Sequence, residues 1–152
     1  MSDRPQDMTS PFVVDRPFSG FALPTVRHRP GSGTATDLAA LDAVKVLVPG
    51  RTGAAAWSAN QPYLYGIELF EAGFYWEAHE VWEPVWMNAI PNSAERHLLQ
   101  ALIQYTNAAL KRDMGRDRAA QRLLAETARH LHRVPNSCRA GYLMGVDLDC
   151  WQ

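Results

Sequence analysis

Hydrophobic residues recur every three or four positions from about residue 60 onward, which is the spacing of amphipathic helices. The pattern divides this part of the chain into four predicted helices, over residues 62–73, 75–88, 92–114 and 117–134. Asn92 and Asp117 are predicted to cap the third and fourth helices, and Pro84 is predicted to kink the second. No segment alternates hydrophobic and polar residues with period two, so no strand is predicted here. The chain is therefore predicted to be all-α, a compact bundle of four to five helices.

Proline and glycine interrupt the first part of the chain too often for long regular elements. Residues 1–59 are predicted to form an irregular Pro/Gly-rich N-terminal arm, and residues 60–152 are predicted to form the helical domain. One short helix is predicted within the arm at residues 36–48, capped by Asp37. Its hydrophobic residues share one face, and they are Leu38, Leu41, Val44 and Val48. Two roles are open for the arm: a strap lying over the helical body, or a partly disordered tail.

The composition is that of an ordinary globular protein. Its 152 residues are 47% hydrophobic and fit one domain, which needs no metal or disulfide to form a core. With 15 basic and 16 acidic residues the net charge is −1, which argues against a general nucleic-acid or membrane-surface protein. No hydrophobic run approaches the roughly 18–20 residues of a membrane span, and the first residues lack the hydrophobic core of a signal peptide. Two cysteines, Cys138 and Cys150, are too few for a disulfide framework, so a cytoplasmic location is expected.

The densest group of chemically active residues lies in the second predicted helix, at residues 75–86, which hold three tryptophans, three glutamates and one histidine. Within it, His79-Glu80-x-x-Glu83 has the spacing of the zinc-protease signature HExxH, with glutamate in place of the last histidine. Residues four apart lie above one another on a helix, so His79 and Glu83 can both reach one divalent ion, zinc or similar. Glu80 would then be the general base that activates water. A third ligand is expected from elsewhere, and the candidates are His97, Glu95, Glu68 and Glu71.

The same residues have a second interpretation, without catalysis. Glutamates three and four apart are routine on solvated helix faces, and a histidine at the edge of a core is usually only hydrogen-bonded. Trp76 lies on the polar side of this helix, which indicates that this side is covered as well. On this interpretation the protein is a helical binding or assembly module, and its Glu/His/Trp/Gln cluster is a buried structural network.

Polar residues of the third predicted helix form one continuous seam. The seam consists of His97, Gln100, Gln104, Asn107 and Lys111. The remaining residues between 98 and 110 are hydrophobic, small or threonine. They form a hydrophobic arc over more than half of the helix circumference, and so wide an arc favours a central helix. Gln100 and Gln104 are suited to orient the carboxylates of Glu80 or Glu83. The alternative is an ordinary exposed strip of amides.

A row of arginines lies along one face of the fourth predicted helix, at Arg118, Arg122, Arg129 and Arg133. Such a row is typical of a solvated helix face, and RNA, an acidic ligand or a partner subunit are the alternatives. Because the net charge is balanced, nucleic-acid binding is not expected. The sequence is compatible with a homo-oligomer, and it leaves a small-molecule substrate unidentified.

Three stretches of the chain resemble a known family. They are YGIELFEAGFYWEAHEVWEPVW, LLQALIQYTNAALK and the tail phrase GVD, within residues 60–148. The family is domain of unknown function 309, small helical prokaryotic proteins of which some are labelled predicted metal-dependent hydrolases. The family's EAHE string, with the following glutamate and tryptophan, falls on Glu77, His79, Glu80, Glu83 and Trp86. The chain departs from the family pattern at Ala101, Asn107, Arg116 and Ala119.

The resemblance implies a small helical fold and a metal-dependent hydrolase of unknown substrate. The glutamines of the family's LQxLIQ string fall on Gln100 and Gln104. Together with the His79-Glu80-x-x-Glu83 spacing, the resemblance implies that His79 and Glu83 are metal ligands and that Glu80 is the catalytic residue. The residues expected to support this site or to bind the ligand are Glu77, Trp86, Gln100, Gln104 and His97.

Overall fold

The computed structural model describes residues 10–28, 30, 38–138 and 141–151 of the chain. Its regular structure is almost entirely helical, and the α-helices are α1 (Leu38–Lys45), α2 (Gln61–Glu71), α3 (Tyr75–Met87), α4 (Ala94–Asp113) and α5 (Asp117–His132). Short 3-10 turns occupy Ala54–Ala59, Asn136–Cys138 and Leu148–Trp151. The predicted all-α fold class is confirmed.

The central helix of the bundle is α4, which packs against both α3 and α5. Leu98, Leu99 and Leu102 of α4 are completely buried. The polar seam of this helix is covered too: His97 is buried, and the half-buried members are Gln100, Gln104, Asn107 and Lys111. The seam therefore lies within the bundle and is not an exposed strip, as the width of the hydrophobic arc predicted.

The pair α2–α3 forms a helical hairpin with clear local signals at its ends. Asn60 caps α2, because its side chain accepts a hydrogen bond from Tyr63 N at 3.2 Å, and Pro62 occupies the first turn. Gly73 follows α2 with a φ of +89°, a left-handed conformation that favours glycine. α3 continues as one helix through Pro84. The hairpin thus begins and turns where the sequence predicted.

The two predicted caps of the later helices are wrong. α4 is capped by Ser93, whose side chain accepts a hydrogen bond from Arg96 N at 3.2 Å. Asn92 has a φ of +64°, so the chain turns at this residue and enters the helix afterwards. In the described structure Arg116 precedes α5 and makes no side-chain capping hydrogen bond. Asp117 is the first helical residue, where its negative charge still favours the helix N-terminus.

A short β-hairpin follows the helices, which the hydrophobic pattern did not predict. Strand β1 (Tyr142–Leu143) pairs antiparallel with β2 (Val146–Asp147). Strands of two residues are too short to produce a period-two pattern. The hairpin is attached to α2, because the buried Tyr63 hydroxyl donates a hydrogen bond to Met144 O at 2.7 Å.

The start of the described arm pairs with this hairpin. Val13 N donates to Gly145 O at 2.8 Å, and Asp147 N donates to Pro11 O at 2.8 Å. Phe12, between them, is buried against aromatic rings of α2 and α3. These contacts hold residues 11–13 on the helical body.

Carboxylates of α2 hold further residues of the arm. Glu71 accepts hydrogen bonds from Ser10 Oγ at 2.6 Å and from the Arg16 guanidinium. Glu68 accepts hydrogen bonds from Ser19 N at 2.7 Å and from Ser19 Oγ at 2.6 Å. In its described part, the arm is therefore a strap over the helical body.

The short helix of the arm is α1. Its predicted start and its predicted cap, Asp37, lie outside the described residues. Leu41 and Val44 are buried on the predicted face, whereas Leu38 is 55% exposed. α1 packs against α2 and α3, and this contact brings Lys45 to the surface of α3.

Candidate metal centre

One histidine and two glutamates of α3 form a compact group, here called the His79 group (His79, Glu80 and Glu83). His79 Nε2 lies 3.3 Å from Glu83 Oε2, and His79 Nδ1 lies 3.7 Å from Glu80 Oε2. One ligand atom from each residue can be chosen so that all three lie within 4.8 Å of one another. The first contact follows from the i, i+4 spacing, since residues four apart are neighbours on a helix. The structure thus brings together the three residues that the sequence singled out for chemistry.

The His79 group lies at the protein surface with partial access to solvent. The side chains of His79 and Glu80 are 25% exposed, and that of Glu83 is 48% exposed. One imidazole and two carboxylates suit a divalent ion such as zinc. Glu83 and Glu80 lie next to opposite ring nitrogens of His79. An ion bound between Nε2 and Glu83 would therefore leave Glu80 next to Nδ1. A separation of 3.7 Å is too long for a hydrogen bond, so this oxygen of Glu80 is not held by His79.

Helix α1 supplies a fourth residue that the sequence pattern did not indicate. Lys45 Nζ lies 3.4 Å from Glu80 Oε1 and 4.0 Å from Asp42 Oδ1. The ammonium group balances part of the negative charge of the His79 group and orients the Glu80 carboxylate. Its contact with Glu80 depends on the packing of α1 against α3, so no local motif could have revealed it.

The third ligand expected from outside α3 does not join the His79 group. Glu68 and Glu71 hold the arm instead. Among the described residues, His97 and Glu95 also lie outside the group that could hold a metal. Glu80, which the sequence assigned as the base, is the third member of the group.

A small cleft of about 140 Å³ lies beside this group, between α3 and α4. It is lined by Glu83, Trp86, Gln100, Ile103 and Gln104. Within the described residues, no hydrogen bond joins either glutamine side chain to a glutamate, so the predicted orienting role of the glutamines is not observed. Both glutamines line the cleft instead.

Trp86 forms a fixed wall of the cleft. The Arg96 guanidinium lies over its ring, 4.5 Å from the ring centroid, and Arg96 Nη1 donates a hydrogen bond to Ala89 O at 2.8 Å. The indole Nε1 of Trp86 is buried and has no hydrogen-bond partner among the described residues. A buried donor without a partner is costly, and a bound group or a water molecule would satisfy it.

The family model described as domain of unknown function (DUF309) matches residues 63–123. Over these residues the chain is similar to the DUF309 family. The match confirms the resemblance, but over a shorter range than the residues 60–148 within which the sequence resembles the family. It covers α3, α4, nearly all of α2 and the start of α5. No curated protein and no solved structure matches the chain.

The matched residues 63–123, here called the DUF309 segment, contain the whole His79 group and every residue that lines the cleft. Lys45 and the arm lie outside this segment. In the described part of the chain, no helix has both the length and the hydrophobicity of a membrane span.

His97 of the DUF309 segment lies in another environment, near the end of α5. Burial lowers the pKa of His97 below its usual range, and the guanidinium groups of Arg133 and Arg96 lower it further. Burial likewise lowers the pKa of His130, and Arg133 adds to this effect. Nδ1 of each histidine is buried and without a hydrogen-bond partner among the described residues. His97 therefore packs at the contact of α4 with α5, apart from the His79 group.

Glu77 of the DUF309 segment holds the arm. Its side chain is completely buried, and its Oε2 accepts a hydrogen bond from His28 N at 2.9 Å. The ring of His28 packs on that of Trp76, with the centroids 4.2 Å apart, so the polar side of α3 is covered at this point. Glu77 Oε1 has no hydrogen-bond partner in the part of the chain described. Glu77 is thus a residue of the arm attachment, and no hydrogen bond or ion pair joins it to the His79 group in the described part of the chain.

The arginine row on α5 is exposed along its length, at Arg118, Arg122, Arg129 and Arg133. Arg122 and Arg129 border an open groove of about 500 Å³ together with Lys111 of α4. Arg129 forms an ion pair with Glu126 within the row. These features are those of a solvated helix face.

Proposed function

We propose that this protein is a metal-dependent hydrolase. The observation that carries the proposal is the gathering of one imidazole and two carboxylates within 4.8 Å on α3, next to a cleft that can admit a small substrate group. Imidazole and carboxylate ligands occur together in catalytic zinc sites, which keep one coordination position open for water.

His79 and Glu83 are the ligands in this proposal. His79 Nε2 and Glu83 Oε2 are 3.3 Å apart, and two ligands that each lie about 2.0–2.2 Å from one ion have a similar separation. A bound ion supplies Lewis acidity and lowers the pKa of a coordinated water. Because Glu83 is half exposed, the remaining coordination positions face solvent and the cleft.

Glu80 is the general base in this proposal. It has a carboxylate next to the two ligands, and it does not need to coordinate the ion to accept a proton from water. Lys45 holds one Glu80 oxygen at 3.4 Å, and the other oxygen lies on the side of His79. Lys45 therefore positions the base without occupying both of its oxygens.

The second candidate function is a non-catalytic binding or assembly module. It is favoured by Glu77, because this buried glutamate of the same sequence cluster holds the arm and is not a member of the His79 group. Met87 and Ile90, at the end of α3, are 61% and 43% exposed and offer hydrophobic surface to a partner. In that case the His79 group only presents polar side chains to solvent and pairs with Lys45 of α1.

Elemental analysis of protein purified without a histidine tag tests the metal site. We expect a divalent metal at about one equivalent per chain after incubation with zinc, and its loss in His79→Gln and Glu83→Gln. His132→Gln is the control, because it removes an exposed histidine of α5. Metal loss with near-normal stability supports the hydrolase proposal. Severe destabilisation of His79→Gln with unchanged metal content supports the assembly module.

Hydrolysis of a panel of chromogenic esters, amides and phosphoesters tests the role of Glu80. We expect Glu80→Gln to retain zinc and to lose at least about a hundredfold in rate, the typical contribution of a general base. If Glu80→Gln loses zinc, Glu80 is a ligand instead. A variant that hydrolyses as fast as the wild-type protein would rule out the base assignment.

A further inference from the structure

The cleft between α3 and α4 has a chemical character that indicates a substrate class for the proposed hydrolase. Its volume of about 140 Å³ equals that of about five water molecules in the liquid. This space admits a group of a few non-hydrogen atoms, while the remainder of a larger molecule lies outside. Ile103 contributes the apolar part of the lining, and Glu83 places one predicted metal ligand at its edge.

The cleft offers hydrogen-bonding groups of both kinds that the protein itself does not use. Gln100 and Gln104 each carry an amide donor and a carbonyl acceptor, and neither side chain bonds to another described residue. Trp86 contributes its ring to the wall, while its indole Nε1 is buried away from solvent. A carbonyl oxygen would accept a hydrogen bond from a glutamine N–H group, and N–H groups would donate to the glutamine oxygens. An amide supplies both.

The charges around the cleft disfavour an anion. Glu83 lines it, and Glu80 lies close by in the His79 group. Lys45 is engaged by Glu80, and Arg96 is held over the ring of Trp86 by its hydrogen bond to the backbone. No cationic side chain is among the described residues that line the cleft. A carboxylate or phosphate would therefore meet negative charge without a compensating cation.

We propose that the cleft binds a small uncharged amide, such as a carboxamide or ureido group, whose carbonyl oxygen and N–H groups pair with the side-chain amides of Gln100 and Gln104. Hydrolysis of the bound amide rests on the proposed function. Hydrolysis breaks the C–N bond: the hydroxyl of water joins the carbonyl carbon, the remaining proton goes to the leaving nitrogen, and no other co-reactant is needed. Binding in the cleft does not require the metal.

Nuclear magnetic resonance of the metal-free, full-length protein tests this binding. Acetamide and acetate are the probes, because they have nearly the same shape and differ in charge. The indole N–H signal of Trp86 is assigned by its loss in Trp86→Phe. We expect millimolar acetamide to shift this signal and the amide signals of Gln100 and Gln104 saturably, and acetate to leave them unchanged. The indole signals of Trp57 and Trp82, which do not line the cleft, are internal controls.

Glutamine variants give the matched comparison. We expect the double variant Gln100→Leu, Gln104→Leu to bind acetamide at least tenfold more weakly, and Gln121→Leu, on the exposed side of α5, to bind it normally. If the Trp82 indole signal moves in the double variant, the two single variants replace it. The proposal is overturned if acetamide causes no saturable shift, if acetate binds equally well, or if the glutamine variants bind as the wild type does.

Zinc content, measured on the same preparations, separates this result from the proposed function. Protein that takes up zinc but does not bind acetamide retains its metal site and refutes the amide cleft. Protein that binds acetamide through the glutamines but takes up no zinc supports the cleft and contradicts the metal-dependent hydrolase.

Discussion

The Cβ atom of an alanine at position 66 would lie 2.0 Å from Nε1 of Trp82. Helices α2 and α3 therefore touch through the bare backbone of Gly66 and the indole ring. The same Nε1 donates a hydrogen bond to Tyr63 O at 3.1 Å, so the ring cannot move aside without losing this bond. This contact sets the spacing of the helical hairpin on which the His79 group is built.

Gly66→Ala is expected to lower the free energy of unfolding by about 1–3 kcal/mol or more, because overpacking strains a filled core. Alanine gains only about 1 kcal/mol in helix propensity, which does not offset the clash. Denaturation by urea measures the difference. Gly50→Ala is the control, since no heavy atom lies within 4 Å of the added carbon, and its effect should stay within about 0.5 kcal/mol. Equal stability of Gly66→Ala and the wild-type protein would contradict the close contact.

The buried histidines His97 and His130 are expected to make stability depend on pH. Their pKa values are lowered in the folded protein from an ordinary value of 6.5, so the unfolded chain binds more protons as the pH falls below about 6.5. The free energy of unfolding should therefore decrease from about pH 6.5 downward until the folded-state pKa values are passed. Each histidine contributes at most about 1.4 kcal/mol per pH unit.

Denaturation curves at several pH values check this expectation. The double variant His97→Gln, His130→Gln should have a flatter dependence between about pH 6.5 and 5. His132→Gln removes an exposed histidine and should keep the wild-type dependence. An unchanged slope in the double variant would show that other groups control the acid sensitivity.

Lys45→Met is expected to raise the affinity for zinc by roughly two- to fivefold. The Lys45 ammonium pairs with Glu80 at 3.4 Å and repels a cation in the His79 group, but partial exposure keeps the effect small. Isothermal titration calorimetry measures the change. Lys111→Met removes the same charge from the last turn of α4 and is the control. An unaltered or reduced affinity in Lys45→Met would mean that Lys45 does not compete with the ion.

Glu77→Leu is expected to loosen the arm around His28. Leucine removes the acceptor of the His28 N–H. An unpaired N–H costs about 1–3 kcal/mol when fully buried, and less at this half-buried position. Glu77→Gln retains an acceptor oxygen and is the matched control, with a smaller loss. Hydrogen exchange of the His28 amide reports the opening, which should accelerate in Glu77→Leu well beyond Glu77→Gln. Equal exchange in both variants would exclude this hydrogen bond as the anchor.

The helices could be predicted from the sequence because their signals are local. Hydrophobic residues at helical spacing mark α2 to α5, and Gly73 and Gly115 follow α2 and α4 in the left-handed conformation. The starts of α4 and α5 were misplaced by a residue or so, because a cap depends on the conformation of single residues. Asn92 is left-handed, a property that its residue type permits but does not require.

The candidate site could be predicted only where its contacts are local. His79 and Glu83 meet because they are four residues apart on one helix. Lys45 and Glu80 are 35 residues apart, and their contact exists only after α1 packs on α3. The sequence made Glu68 a candidate ligand. Its residue type and helix position do not reveal that its carboxylate accepts a hydrogen bond from Ser19 of the arm. Which glutamates are free to bind a metal is thus a property of the tertiary structure.

The bridge between Phe12 and Val146 joins two segments that are far apart in the sequence, and the segment around Phe12 is synthesised first. A growing chain can form its helices before residues 142–147 emerge, but residues 11–13 must wait for their partner. Attachment of the strap to the β-hairpin therefore follows the synthesis of residues 142–147, and until then Phe12 lacks this anchor. The rings of Phe70 and Trp82, on which Phe12 packs, are left without its cover during that interval.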